Sequence, residues 1–166
     1  MNKIHRKLEY ALIAIKYLSS KPPGELTTVK EICQRFNCPF DATSRVMQQL
    51  AHKGLLKSEQ GAFGGYQIVR DLARVNIYEL IEIILGPIAI AKCLQETDCE
   101  ILESCNIYHP VAALNKRLLD FYSGITLKEL FSSFGGKAPV GQQPIVNPAL
   151  SAAAQSAAQA FMRQGD

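Results

Sequence analysis

The chain has 166 residues, of which 48% are hydrophobic and 20% are charged, with a formal net charge of +3. This length suits one domain or one domain with an appendage, and the composition allows a sizeable globular core. The longest apolar stretch, residues 83–91, is interrupted by Gly86 and Pro87. It is too short for a membrane helix, because about 20 apolar residues are needed to span a bilayer.

The N-terminus and the charge distribution bear on where the protein works and what it contacts. The first residues turn amphipathic at once, without a secretory apolar core, so we expect a cytoplasmic protein with no membrane partner. Residues 1–75 carry 12 Lys and Arg against 6 Asp and Glu, whereas residues 76–166 carry 6 against 9. A basic first half fits a nucleic-acid-binding surface and equally an ordinary solvated surface.

Two amphipathic helices are predicted before residue 37. Residues 5–18 place apolar side chains at helical spacing, and the KPPGE segment at residues 21–25 ends that helix. Thr28 and Glu31 stand at the spacing of a capping box, in which both side chains satisfy free N–H groups at a helix start. Cys33 falls on the apolar stripe of the second helix, so we expect a core residue there and not a ligand.

A short turn at residues 37–40 leads into a third predicted helix, residues 40–53, with an apolar inner face and a polar outer face. Two short helices joined by a tight turn, the second polar on its outer face, are typical of a helix-turn-helix. The second helix of that motif enters the major groove of DNA, where Arg, Gln, Ser and Thr contact base edges. For any single polar residue of this face except Arg45, an ordinary solvated position is the alternative interpretation.

A β-hairpin is predicted directly after the third helix. Residues 55–59 and 66–69 can pair as strands, and Gly61, Gly64 and Gly65 allow a tight exposed loop between them. A hairpin in this position is a wing, whose residues contact phosphate or the minor groove. The candidate DNA-binding residues are Thr28, Thr43, Ser44, Arg45, Gln48, Gln49, Lys53, Lys57, Gln60 and Tyr66.

The acidic half contains a further predicted helix at residues 75–86 and then, beyond residue 109, an apolar stripe at intervals of three or four residues. That spacing is typical of the seam between two helices. Because so short a chain cannot easily bury a long stripe on itself, we expect a homodimer helix. Packing against the first helix of the same chain is the alternative. The stripe is Val111, Leu114, Leu118, Phe121 and Ile125.

The sequence thus predicts a mainly α protein with a small β-hairpin wing, in which a winged helix-turn-helix DNA-binding domain precedes a long dimerisation helix. We expect the DNA-binding region at residues 1–75 and a loop with the dimerisation helix at residues 76–133. Residues 134–166 are rich in Gly, Pro, Ala and Gln, a composition that predicts a disordered tail.

Three of the five cysteines stand at equal intervals in CLQETDCEILESC, residues 93–105, with acidic residues but no Lys or Arg between them. In a cytosolic chain, clustered thiols favour metal or redox chemistry over disulfides. Thiolates are the preferred ligands of iron–sulfur clusters. Structural zinc sites more often begin with a C-x2-C pair, which this sequence lacks.

The order of these parts resembles the IscR/NsrR-type family of bacterial iron–sulfur transcription regulators. The resemblance covers residues 1–131, and its matching stretches are LEYALIAIKYL, HKGLLKSEQGAFGGYQIVRD, IYELIEII, the three cysteines and ITLKEL. It implies a homodimer that binds double-stranded operator DNA and holds a cluster on Cys93, Cys99 and Cys105. Regulators of this family use the presence, type or redox state of the cluster to change their affinity for DNA.

Three thiolates leave one iron site to another ligand, and the resemblance implies two candidates. His109 lies one residue beyond the histidine position of the IscR type and would imply a [2Fe–2S] sensor of cluster supply. Glu9 stands where the NsrR type uses a carboxylate from the partner's first helix, although Asp is expected there. Glu9 would imply a [4Fe–4S] sensor of nitric oxide or iron, and we favour it. Alternatively, Glu9 is a surface carboxylate and His109 caps the helix that begins near Pro110.

Two other interpretations stay open. The protein could be a winged-helix regulator that uses its cysteines for thiol redox chemistry or for zinc, with His109 completing the zinc site. A thiol oxidoreductase is disfavoured because the sequence has no C-x2-C pair and no βαβ pattern. The sequence also lacks a Walker loop, a dinucleotide fingerprint and a Ser/His/Asp constellation, so we expect no enzyme.

Overall fold

The chain folds as the predicted winged helix-turn-helix, and three further helices follow the wing where the sequence predicted two. The structure is a computed structural model that describes residues 4–61, 63–95 and 99–133. The predicted disordered tail at residues 134–166 lies outside this range. The elements are α1 (Arg6–Ser19), α2 (Val29–Phe36), α3 (Phe40–His52), β1 (Leu56–Glu59), β2 (Gly65–Ile68), α4 (Ile77–Leu85), α5 (Tyr108–Ser123) and α6 (Leu127–Ser133).

One apolar core joins α1, α2, α3, α4 and α6. The predicted inner faces of α1 and α3 are buried in it, and Leu127 of α6 lies in the same core as Val75, which precedes α4. Segments on both sides of residue 75 therefore pack together. Each fully buried apolar side chain contributes about 1.5–3 kcal/mol relative to an exposed one. The side chains with no exposed surface include Ala11, Ala14, Ile15, Ile32, Val46, Met47, Leu50, Leu55, Val75, Leu80 and Leu127.

The start of α2 contains half of the predicted capping box. The Thr28 hydroxyl accepts a hydrogen bond of 3.1 Å from the Glu31 N–H, as expected. The Glu31 carboxylate bonds instead to the Tyr17 hydroxyl at 2.6 Å and to Lys21 Nζ at 3.0 Å. The hydrogen bond from Tyr17, and then that from Lys21, lowers the pKa of Glu31. Glu31 thus ties α2 to the end of α1.

A tight turn separates α2 from α3. Asn37 adopts a left-handed conformation with φ of 54°, and the Cys38 N–H donates to the Cys33 carbonyl at 3.3 Å. This arrangement is a Schellman motif, which satisfies a free carbonyl at the helix end. Cys38 is buried, and its burial raises the pKa of its thiol. Cys33 is half-buried and packs against the core, as predicted.

The wing is a two-stranded antiparallel hairpin attached to the start of α2. β1 and β2 pair in the register Ser58 with Tyr66, and Tyr66 also exchanges two backbone hydrogen bonds of 2.9 and 3.0 Å with Thr27. A Cβ on Gly65 would lie 2.8 Å from the Thr27 carbonyl oxygen, and one on Gly64 would collide with the Glu59 carbonyl. The two glycines before Tyr66 are therefore required by close backbone packing.

The helix predicted to carry the dimer stripe is shorter than expected. α5 ends at Ser123, and Ile125 lies in the following turn, where its carbonyl accepts a hydrogen bond of 2.9 Å from the Ile77 N–H. A complete capping box between Thr126 and Glu129 then starts α6. The prediction that one helix carries the stripe through Ile125 is therefore wrong. α5 packs mainly against α4 and not against α1.

Among residues 4–61, 63–95 and 99–133, no helix is both long and apolar enough to cross a membrane.

Gly65→Ala should destabilise the protein, because its new Cβ meets backbone atoms of Thr27 that are held by the hydrogen bonds to Tyr66. We expect the free energy of unfolding to fall by about 1–3 kcal/mol, the usual cost of overpacking. Gly124→Ala is the matched control, since its Cβ would stand 3.4 Å from the nearest atom at a φ of −76°. Urea unfolding measures both variants, and equal stabilities would contradict the packing explanation.

Candidate nucleic-acid interface and cysteine loop

The solvent-facing side of α3 follows from what its other side buries. Val46, Met47 and Leu50 face the core, so the helical period leaves Arg45, Gln48, Gln49 and His52 exposed. Ser44 is half-buried at the edge of this surface. We call the exposed surface of α3 together with the wing the recognition face. Four of the predicted α3 contacts therefore lie on it: Ser44, Arg45, Gln48 and Gln49.

Thr43 does not belong to the recognition face. Its side chain has no exposed surface, and its hydroxyl donates a hydrogen bond of 2.8 Å to the carbonyl of Pro39. The prediction that Thr43 lies on the outer face is wrong, because the residue occupies the buried stripe three positions before Val46. Its polar group is satisfied within the first turn of α3, so Thr43 holds the turn and cannot reach DNA.

Two grooves bring most of the remaining predicted residues together. The first runs between α3 and β1, where Gln48 faces Lys57 and Tyr66. The second runs from the start of α2 to the wing tip and contains Thr28 and Gln60, again with Gln48 and Tyr66. Gln48 and Tyr66 are shared by both grooves, so the helix and the wing form one continuous surface.

A third concavity extends the recognition face toward α1 and contains residues that the sequence analysis missed. Lys7, in the first turn of α1, lies beside Arg45, Gln49 and Lys53. The same omission applies to Lys30, at the start of α2 on the wing side. Both lysines were visible as basic residues in the first turn of a helix, but only tertiary packing places them next to α3.

One carboxylate interrupts the basic character of the wing. Glu59 lies 3.1 Å from Lys57 Nζ and accepts a second hydrogen bond of 3.3 Å from the Gln67 side chain. In the part of the chain that the structure describes, no carboxylate lies within 4.0 Å of Arg45 or Lys53. Arg45 and Lys53 are thus available to an anionic ligand, whereas Lys57 is partly neutralised.

The cysteine loop, which we define as residues 86–107, connects α4 to α5. Cys93 lies in a 3-10 turn at Lys92–Leu94, and the N–H of Leu102, in a second such turn, donates to the Cys99 carbonyl at 3.1 Å. The Cys105 N–H donates back to the Leu102 carbonyl at 3.3 Å. All three thiols are free and half-buried. Residues 96–98, which include two of the acidic positions, lie outside the described range.

The candidate ligands do not form an assembled metal site within the described part of one chain. Among the described residues, no three His, Cys, Asp or Glu side chains converge. Glu9 is half-buried on α1 and pairs with Arg6 at 3.1 Å. His109 is exposed in the first turn of α5 and packs edge-to-face on Tyr108, with ring centroids 5.4 Å apart. The N-cap of α5 is Ile107, so the alternative that His109 caps this helix is wrong.

Two hydrogen bonds hold the first part of the cysteine loop in place, and no pattern in the sequence predicted either of them. The Ile90 N–H donates to Asn115 Oδ1, in the middle of α5, at 3.0 Å. The Gln95 amide donates to the Pro87 carbonyl at 2.7 Å. The loop is therefore attached to α5 through Asn115 as well as through the chain itself.

Comparison with known proteins places the chain among transcriptional regulators. The sequence profile of the Rrf2 family, described as an iron-dependent transcriptional regulator, matches residues 4–133. The HTH-type transcriptional regulator NsrR of Bacillus subtilis (strain 168) is 25% identical over 133 residues, which cover 77% of this chain and 89% of NsrR. This likeness and the profile confirm the resemblance inferred from the sequence.

Solved structures share the fold. CymR, the global cysteine regulator of B. subtilis, is 25% identical and superposes with a TM-score of 0.63, covering 80% of this chain and 98% of CymR. IscR of T. potens is 21% identical, with a TM-score of 0.58 over 86% of this chain and 94% of that chain. The predicted winged-helix fold is thereby confirmed.

Glu59→Gln should tighten binding to double-stranded DNA, because it removes a negative charge from the recognition face and frees Lys57 for phosphate. We expect a gain of about 2- to 5-fold at low salt, the equivalent of about 0.5–1 kcal/mol for an exposed charge interaction. The gain should shrink as salt is added. Fluorescence anisotropy with a labelled duplex measures both effects.

The matched control for Glu59→Gln is Asp120→Asn, which removes an exposed carboxylate that pairs with Lys116 at 2.7 Å on α5. This control should leave the affinity unchanged. An equal gain from both variants would show that only the net charge of the chain matters, and not its position on the wing.

Proposed function

The chain belongs to the Rrf2 family of DNA-binding transcriptional regulators, and from this premise we propose that it is a homodimer whose affinity for operator DNA is set by an iron–sulfur cluster. Cys93, Cys99 and Cys105 would hold the cluster. The proposal depends on one observation above all: the three thiols are free and half-buried on a segment that is tied to α5.

The recognition face supplies the DNA contacts in this proposal. α3 presents Arg45, Gln48 and Gln49, residue types that bond to base edges in the major groove. Lys53 and Lys57 flank them and suit phosphate contacts. The HTH-type regulator NsrR, which shares this region, supports the assignment.

The donor chemistry of the cysteine loop fits an iron–sulfur cluster. Three uncommitted thiols are the ligands that such clusters prefer. A bound cluster supplies a centre that reacts with nitric oxide or oxidants and is lost when iron is scarce. Because the three cysteines do not converge within the described part of a single chain, they would have to close around a cluster from an open loop. An open loop makes binding conditional, which is what a sensor needs.

We propose Glu9 of the partner chain as the fourth ligand, with a [4Fe–4S] cluster favoured, and keep His109 as the alternative. Among the described residues, Glu9 pairs only with Arg6, whose side chain is 79% exposed. Exposed pairs of this kind are worth about 1 kcal/mol or less, so Glu9 can exchange this partner for a metal. His109 is exposed and four residues beyond Cys105, and it would require the first turn of α5 to adjust.

The apolar stripe of α5 supports a homodimer. Leu114 is 59% exposed and Phe121 is 61% exposed, and they stand seven residues apart. Val111 and Leu118, also seven residues apart, belong to the same stripe. That spacing is the heptad pattern of a two-helix seam. No residue of α5 is fully buried in the single chain, so a second copy is the natural cover for this surface. Two-fold DNA sites are matched by two-fold proteins.

The hydrogen bond between Ile90 and Asn115 offers a route from the cysteines to the dimer. Cys93 follows Ile90 by three residues, so a change in what the Cys93 sulfur binds would displace the Ile90 amide, which is bonded to Asn115. Asn115 is next in sequence to Leu114, which belongs to the exposed apolar stripe of α5. Movement of the loop would then shift α5 and, through the dimer, the spacing of the two recognition faces.

A second candidate function keeps the DNA binding and omits the cluster. In that case the cysteines act through thiol redox chemistry or bind zinc with His109. Two observations favour keeping it: the described residues contain no assembled metal site, and the chain also resembles CymR, a regulator named for cysteine and not for iron.

Native mass spectrometry of the full chain, purified without oxygen, tests the cluster directly. We expect a dimer with one [4Fe–4S] cluster per chain. Cys99→Ser should abolish loading because it removes a thiolate ligand. Cys33→Ser is the matched control, since Cys33 packs against the helix-turn-helix core and is not expected to bind metal. Bound zinc, or no metal after anaerobic reconstitution, would refute the cluster proposal and leave the second candidate function.

The fourth ligand is assigned by two further variants in the same experiment. Glu9→Gln should reduce cluster loading while the dimer persists, and His109→Gln should leave loading intact. The reverse result, with a cluster of two irons, would assign His109.

Asn115→Leu should uncouple the cysteine loop from α5, because the Ile90 amide loses its acceptor. We expect the difference in operator affinity between cluster-loaded and cluster-free protein to fall by about 0.5–2 kcal/mol, the range found for residues that carry coupling. Asn115→Asp is the control because a carboxylate oxygen can still accept this hydrogen bond. Hydrogen exchange of the Ile90 amide in cluster-free protein gives a readout without metal. Faster exchange with an unchanged difference in affinity would refute the route.

A further inference from the structure

The tip of the wing exposes a large apolar side chain. Phe63 is 94% exposed, more than any other large apolar side chain among the described residues. It lies between Gly61 and Gly64 in a turn closed by a hydrogen bond of 3.0 Å from the Gly64 N–H to the Gly61 carbonyl. Burial of a phenylalanine side chain is favourable, and very little of that free energy is gained within the chain.

The backbone that carries Phe63 is tightly folded. Gly64 packs so closely on the Glu59 carbonyl that no Cβ fits there, and Gly65 packs equally closely on Thr27. The hairpin therefore has a firm base, fixed by the paired strands and by the bridge between Thr27 and Tyr66. An aromatic side chain on such a base loses little conformational freedom when it enters a partner, which favours binding.

We propose that Phe63 is an apolar wedge that enters the minor groove of operator DNA and partly unstacks one base step. This inference rests on the proposed operator binding and adds a mode of recognition to it. Phenylalanine is one of the residues that architectural proteins insert between base pairs, which kinks the duplex. Pyrimidine–purine steps kink most readily, so the wedge would favour sequences with such a step under the wing.

The surroundings of Phe63 point to DNA and not to a protein partner. Gln60 and the two turn glycines flank Phe63, and Lys57 lies further along the same hairpin. Along the chain, the next exposed large apolar residue after Phe63 is Val69, which follows β2 at the end of the hairpin away from the tip. A single large apolar side chain among small and polar residues is not the contiguous patch that protein docking requires. It does suit a narrow groove between two charged phosphate rows.

The test uses the full-length chain and a duplex selected from a random pool by the wild-type protein. Phe63→Ala should weaken binding by about 5- to 100-fold, the range for losing one stacked base, while Phe63→Trp should largely restore it. The slope of log Kd against log salt should stay the same, because no charge is removed. Lys53→Ala, by contrast, should reduce that slope by about one, because no carboxylate among the described residues pairs with Lys53. Ile4→Ala is the matched control and should leave the affinity unchanged, because Ile4 is an exposed apolar side chain that precedes α1 and lies outside the wing.

Two readouts separate a wedge from a general loss. A fluorescent adenine analogue placed at the contacted step should brighten on binding of wild-type protein and not of Phe63→Ala. Energy transfer between dyes on the two duplex ends should report less bending with Phe63→Ala. The melting temperature of Phe63→Ala should match that of the wild type, because the side chain is almost fully exposed.

Several results would overturn the wedge. Equal affinity and equal bending for Phe63→Ala would do so, as would weaker binding without any change in the adenine-analogue signal. Partial protection of Phe63 by an added protein partner, with no effect on DNA, would assign the tip to protein docking instead. If the wild-type chain selects no duplex at all, operator binding itself fails, and the wedge fails with it.

Discussion

The backbone bridge between Thr27 and Tyr66 is the contact on which the DNA-binding half depends. Its two hydrogen bonds, of 2.9 and 3.0 Å, attach the wing to the residue that precedes the N-cap of α2. Each contributes about 0.5–1.5 kcal/mol net. The Thr27 hydroxyl is buried and has no partner among the described residues, and such a group costs about 1–3 kcal/mol. The close approach of the wing backbone to Thr27 is therefore kept although the Thr27 hydroxyl has no hydrogen bond among the described residues. Gly65 permits this approach because it has no Cβ.

The bridge also sets which surfaces can act together. It fixes the wing beside the N-terminus of α2, so Thr28 and Gln60 share one groove. α3 is fixed independently by its buried stripe, and Gln48 lies where the two arrangements meet. Both parts of the recognition face are thus held in place, the wing by backbone hydrogen bonds and α3 by its buried residues. A face held in this way can transmit a change in dimer geometry to DNA.

Residue pattern alone predicted the elements and most of the recognition face, because helical period and turn glycines are local signals. It failed at Thr43, where polarity was taken as a sign of exposure although the residue lies on the buried stripe and bonds to Pro39. It also failed at Ile125, because the three-four spacing continues through the turn after Gly124 while the helix does not. The contact between Ile90 and Asn115 spans 25 residues, and no local pattern encodes it.

The cysteine spacing suggested the proposed ligands but not how the segment that carries them is attached to the rest of the fold. Cys105 lies two residues before Ile107, the N-cap of α5, and Cys93 lies three residues after Ile90, which is bound to Asn115. Both ends of the thiol set are thus attached to the same helix. Ile107 and Asn115 are eight residues apart, about 12 Å along the helix axis at about 1.5 Å per residue.

In the proposed function, three thiolates gather around one centre, so the loop between these two anchors would rearrange. The anchors would carry this change to the first two turns of α5, where Leu114 lies exposed beside Asn115. A regulator needs two states that differ in a contact which DNA affinity depends on. The exposed stripe of α5 is the surface closest to both anchors, so the proposed dimer contact is the one that a change at the cysteines would alter first.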